Sequence, residues 1–174
     1  MSDPAPPAAT ASQTVGPFFH LGMIGREPLE RVQPLGGTAR IELVIDVTDG
    51  DGKPVPDAVV ELWQQPCESR RNPSGEELCA FGRLGTSSDG VCRFETARPP
   101  MHINVCLFAR GLLRQLHTRI YFPGAPGLDA DPVLALVPRE RRQTLFAIPD
   151  GSQPERWRFH VRLQGRDETV FFDA

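Results

Sequence analysis

The sequence predicts an all-β protein: an antiparallel β-sandwich with an extended N-terminal arm and one short helix. Three observations lead there. Ile41, Leu43, Ile45 and Val47 alternate with Glu42 and Asp46, the period of two that gives an extended strand one buried and one wet face. Short apolar runs then succeed one another, divided by turn residues such as Asp49-Gly50-Asp51-Gly52, Asp89-Gly90 and Gly165, a rhythm of strands rather than helices. Finally, 174 residues with 40% apolar and 24% charged side chains suffice for one well-packed domain but not for two comfortable ones.

Taken in order, residues 1–13 are rich in Pro, Ala and Ser and offer almost nothing to bury, so they are expected to form a flexible arm. A single domain is expected over residues 14–174. Phe18 and Phe19 stand behind a Gly16-Pro17 turn and must dock on their own domain or on a neighbour. Residues 25–37 read as loop. After the first strand and its Gly-containing turn, a strand over 55–64 sets Ala58, Val60 and Leu62 on one side and Val59 and Trp63 on the other. Residues 65–80, with Pro66, Pro73, Ser74 and Gly75, read as a long surface loop. Further strands are expected at 91–96, 101–109, 115–122, 143–148, 156–164 and 168–173. Phe171 and Phe172, adjacent in the last of these, point to opposite faces, so both faces need cover. The one helix has Asp131 as its cap, Pro132 at its first position, Val133–Val137 as its apolar stretch and Pro138 as its stop.

A formal charge of −3 gives no electrostatic reason to expect nucleic acid or an anionic membrane as partner. No charged–apolar–small leader and no apolar run of spanning length is visible, so a cytoplasmic protein is expected. Its four cysteines, at 67, 79, 92 and 106, show no metal-type spacing and should be reduced thiols. Cys92 and Cys106 lie in apolar runs and read as small core residues. Lys53 is the only lysine, so arginine supplies the remaining cations. That bias suits interfaces, where arginine is enriched and lysine depleted, and it also follows from genomic base composition alone.

The chemistry-bearing stretch is Met101-His102-Ile103-Asn104-Val105. On a strand, residues two apart share a face, so a His-x-His pair could deliver two imidazoles to one ion; here the second position is a carboxamide, a poor ligand for a transition metal. His102 therefore reads either as a hydrogen-bonded structural residue or as what remains of a ligand pair. His20, His117 and His160 have no short mutual spacing. Arg110 ends the apolar run Val105–Ala109, and a charge there either grips an anion or caps a sheet edge.

Several segments, collinear along the chain, resemble the intradiol ring-cleaving dioxygenases. They are QTVGPF at 13–18, the hairpin DGDGKPVPDAVVELWQ at 49–64, Phe81-Gly82-Arg83 with Thr86 and Asp89-Gly90, His102-Ile103-Asn104, and Tyr121-Phe122-Pro123-Gly124. Segments 107–111, 117–122 and 168–173 narrow the likeness to the iron-free chain of a two-chain member. The resemblance covers residues 12–174 and implies a prealbumin-like sandwich. It implies a non-haem ferric ion held by two tyrosines and two histidines. The histidine pair falls on His102 and Asn104, and the only tyrosine, Tyr121, belongs to a strand motif rather than to either ligand position. No metal is therefore expected in this chain; Fe(III) is expected on a homologous beta-type partner subunit within an obligate alpha–beta hetero-oligomer. By the same resemblance Thr14, Gly16, Pro17 and Arg110 line the substrate cavity, and His102 and Asn104 mark a vestigial metal position. The implied reaction inserts both atoms of O2 between the hydroxyl-bearing carbons of 3,4-dihydroxybenzoate (protocatechuate), giving 3-carboxy-cis,cis-muconate. Two other readings stay open: a free-standing structural or binding module, and a self-sufficient enzyme with an altered site using His102, His117 or His160.

Overall fold

The computed structural model describes residues 10–16, 18–25, 40–64 and 80–173. Among these residues eight strands form two four-stranded sheets. The first has the order β4-β1-β8-β7, with β1 Arg40–Thr48, β4 Val91–Ala97, β7 Ile148–Pro149 and β8 Arg156–Arg162. The second has the order β3-β2-β5-β6, with β2 Val59–Gln64, β3 Ala80–Gly85, β5 His102–Phe108 and β6 Leu116–Tyr121. Among the described residues two five-residue helices are present, α1 at Phe19–Met23 and α2 at Pro132–Leu136.

The alternation read in β1 is the alternation observed: Ile41, Leu43, Ile45 and Val47 are buried. They meet Val60, Leu62, Ile103, Val105 and Leu107 of the facing sheet in one apolar core, together with Phe94, Phe122 and Phe159. Burial of such side chains is the main stabilising term, about 1.5–3 kcal/mol each. A smaller cluster of Tyr121, Leu134, Val137 and Leu145 seats α2 against the edge of β6.

Sequence and structure part in five places. α1 at Phe19–Met23 is a helix beside the single one expected, its turn closed as Leu21 N and Gly22 N donate to Phe18 O. Ala80–Gly85 is a strand, paired antiparallel with β2, where the sequence pattern predicts none; Gly82 and Gly85 dilute the apolar alternation that marks a strand. The strand expected at 143–148 is a 3-10 turn at Arg142–Leu145 followed by the two-residue β7. The amides of Arg141 and Arg142 bond back to Pro138 O, curling the chain before it can extend. Residues 168–173 make no continuous ladder. Thr169 N donates to Arg162 O, Val170 N to Thr144 Oγ1 and Phe172 N to His117 O, so the segment stitches three elements together. Phe171 nonetheless packs on the main core and Phe172 on the smaller cluster, as two oppositely directed rings require. Lastly, β1 and β8 pair in parallel, so the sandwich is antiparallel in its other five ladders only. Of the expected flexible arm, residues 1–9 lie outside the described residues, as does most of the 25–37 loop and of the 65–80 loop.

Gly90, in the turn before β4, has φ +72°, and a Cβ there would sit 2.6 Å from Val47 O and 3.0 Å from Val55 N. Gly90→Ala is expected to destabilise the fold by about 3 kcal/mol, combining left-handed strain with a backbone clash. A urea midpoint unchanged from the parent protein would refute that.

Candidate functional site

On the outer face of the second sheet, cross-strand neighbours line up in rows. One row runs Phe81, Trp63, Asn104, Arg119 and the next Arg83, Glu61, Cys106, His117. In the second row Glu61 is buried and accepts from Arg83 Nε at 2.7 Å, with Trp63 Nε1 at 3.3 Å on its other oxygen. Arg83 also donates to Met23 O at 3.2 Å, so the end of α1 lies against this face. The thiol of Cys106 is pushed up to about 11 by burial and by the Glu61 carboxylate, and that of Cys92 to about 12, chiefly by burial. Both are free cysteines and chemically quiet, the core role expected of them.

His102 and Asn104 sit at the opening of β5. The imidazole faces a buried carboxylate: Asp131 Oδ2 lies 3.4 Å from His102 Nδ1, and neither atom has a hydrogen-bond partner among the described residues. Asp131 Oδ1 accepts from Val133 N at 2.9 Å, from Leu134 N at 2.8 Å and from the Tyr121 hydroxyl at 3.1 Å, with Arg119 Nη1 3.6 Å away. This is the helix cap foreseen from Asp131-Pro132, extended to β5 and β6. Burial disfavours the charge on Asp131, yet the Leu134 amide, the Tyr121 hydroxyl, the Val133 amide and His102 together hold its carboxyl below the usual range. Burial and the Arg119 guanidinium hold His102 below its ordinary 6.5, against the opposing pull of Asp131. Tyr121 is raised above its ordinary 10, mainly by burial, and stays a neutral phenol.

Fe(III) does not fit this cluster. A ferric ligand set needs phenolates, imidazoles or carboxylates free to converge. Here the phenol donates to Asp131, Asn104 offers an amide, and its cross-strand neighbour Arg119 brings a cation to the spot. Among the described residues no three His, Cys, Asp or Glu side chains are grouped to hold a metal ion. The altered-site reading also loses its geometry. His117 lies opposite Cys106, four residues along β5 from His102, and His160 belongs to the other sheet, where its Nδ1 pairs with Asp46 at 2.8 Å.

The expected cavity residues gather elsewhere. Arg110 follows the far end of β5, and Gly111 N donates to Thr14 Oγ1 at 3.0 Å, which brings the arm to Arg110. Gly16 has φ +74° with open space at its Cβ position, and Pro17 lies outside the described residues. Eight residue steps, most of them along β5, separate His102 from Arg110, about 25 Å at the rise of a strand. Thr14, Gly16 and Arg110 therefore do not share a cavity with His102 and Asn104. A contact that sequence reasoning missed is the pairing of Arg110 Nε with Asp57 Oδ2. Nothing in the local sequence signals it, since Asp57 reads as part of a hairpin.

No family model matches the sequence. Individual relatives do. The protocatechuate 3,4-dioxygenase alpha chain of Burkholderia cepacia is 40% identical over 192 residues, covering 95% of this chain and 97% of that one. The alpha chain of the same enzyme from Pseudomonas putida is 36% identical, covering 94% and 96%. The chain belongs to the protocatechuate 3,4-dioxygenase alpha-chain family. The Burkholderia cepacia beta chain is more distant, 29% identical over 91% of this chain and 77% of its own length. Among solved structures, hydroxyquinol 1,2-dioxygenase from Pseudomonas putida DLL-E4 shares the fold with a TM-score of 0.60 at 20% identity, over 88% of this chain and 66% of that one. In this chain the histidine strand of the sandwich serves a buried carboxylate.

Two outcomes follow. Asp131→Ala removes the cap and the partner that Tyr121, His102 and Arg119 face, and is expected to cost about 3–5 kcal/mol, read by urea denaturation; a loss no larger than a simple cap would contradict the network. His102 is held neutral in the fold while the unfolded imidazole titrates near 6.5. Between that value and the lower folded one the unfolded chain binds the extra proton, so stability falls as pH falls through this window. His102→Gln should flatten that slope, and an identical slope in variant and parent would exclude His102 as its source.

Proposed function

We propose that this chain is the iron-free alpha subunit of a protocatechuate 3,4-dioxygenase, cleaving 3,4-dihydroxybenzoate with O2 to 3-carboxy-cis,cis-muconate in obligate partnership with a homologous beta subunit that carries Fe(III). The observation that carries the reading is a separation: the arm and Arg110 meet at the end of β5 remote from the vestigial His102 and Asn104. Residues suited to a small anionic ligand are thus brought together with no metal-holding group beside them among the described residues. A partner's metal is what such a surface needs.

The similarity to both alpha and beta chains of one enzyme supports a pair built on one fold. Val15, Phe18, Leu21 and Trp63 are exposed large apolar side chains along the arm and the outer face, surface that a partner would cover. In the complex the partner supplies the redox chemistry. This chain supplies walls and charge: Gly16, whose open Cβ position lets backbone pass close to a flat ring, the Thr14 hydroxyl holding the arm, and Arg110 for the substrate carboxylate. Residues 14–174 act as one unit in this scheme. Buried free thiols at Cys92 and Cys106 suit a cytoplasmic setting; among the described residues no helix is long and apolar enough to cross a membrane.

Arg110→Ala, assayed in the alpha–beta complex, is expected to raise KM for 3,4-dihydroxybenzoate about ten-fold, the scale of one charge-assisted contact, with iron content unchanged. Steady-state kinetics indistinguishable from the parent complex would remove Arg110 from the cavity.

A further inference from the structure

We infer that Asp57 is a positioning residue for the substrate carboxylate, holding Arg110 so that the outer end of its guanidinium faces the cavity; this rests on the substrate-facing role proposed for Arg110. Asp57 Oδ2 engages Arg110 at Nε. The two terminal amino groups of the guanidinium have no other partner among the described residues. A carboxylate binds a guanidinium best through two parallel N–H donors, and with the Nε edge taken, the terminal pair is the fork that remains.

Asp57 is well seated for this task. Thr86 Oγ1 donates to Val55 O at 2.7 Å and accepts from Ala58 N at 3.0 Å, while Thr86 N donates to Ala58 O at 2.9 Å. Buried Thr86 thereby clamps the backbone on both sides of residue 57. Arg110 is pinned from the other direction through the bond from Gly111 N to Thr14 Oγ1. The side chain of Arg110 is 59% exposed and that of Asp57 23%, so the aspartate is the fixed base and the arginine the projecting arm. An unpaired arginine must lose most of its rotamer freedom when it grips an anion, whereas one already held loses less. An exposed ion pair adds little to folding stability, so its effect should fall on binding.

The test uses the alpha–beta complex carrying Asp57→Asn, Asp57→Glu or Arg110→Ala, assayed with 3,4-dihydroxybenzoate and with 4-methylcatechol, which has no carboxylate. Asp57→Asn is expected to raise KM for the acid about five-fold, with kcat changed by less than about two-fold and KM for 4-methylcatechol unmoved. Asp57→Glu, which keeps the charge, should recover most of the loss. If Arg110→Ala raises KM for the acid while Asp57→Asn does not, the positioning role is wrong and the reading of Arg110 stands. If Asp57→Asn raises KM for both substrates alike, Asp57 is merely structural. If Arg110→Ala is itself silent, the reading of Arg110 falls and the inference with it.

Discussion

The buried carboxylate of Asp131 organises the part of this molecule where a metal would otherwise be expected. It accepts from the first turn of α2, from the Tyr121 hydroxyl, and faces His102 and Arg119. An unpaired charge at that depth would cost several kcal/mol. Its partners are therefore committed to it, and they include the one tyrosine of the chain and the one imidazole on β5. The surroundings are self-consistent electrostatically: neutral His102, neutral Tyr121, one guanidinium and one carboxylate. A trivalent cation would have to displace Arg119 and strip two side chains from Asp131.

That commitment leaves β5 with two ends of different character. At its start lies the closed polar cluster; beyond its finish, Arg110 and Gly111 meet Asp57 and the arm. The first end fixes α2 and the smaller core cluster. The second keeps an exposed cation beside a docked terminal segment. A sandwich supports this division because a strand carries its two ends far apart while one core holds it rigid.

Much of this was legible in the sequence. The β1 alternation, the strands at 91, 102, 116 and 156, and the Asp131-Pro132 cap depend on local periodicity and capping chemistry, which neighbouring residues encode. What escaped depends on topology. The parallel pairing of β1 with β8 joins residues more than a hundred apart, and β3 hides behind Gly82 and Gly85. At the site, the deficit of ligands at His102 and Asn104 could be read directly. The carboxylate that His102 faces could not, because Asp131 approaches from a different element, and the same holds for Asp57 at Arg110.

Iron counting on the purified complex, followed by separation of its two chains, tests the central claim most directly. One iron per alpha–beta pair, with the red-brown phenolate-to-iron colour travelling wholly with the partner and this chain colourless, is the predicted result. Iron or colour retained by this chain, or two irons per pair, would contradict it.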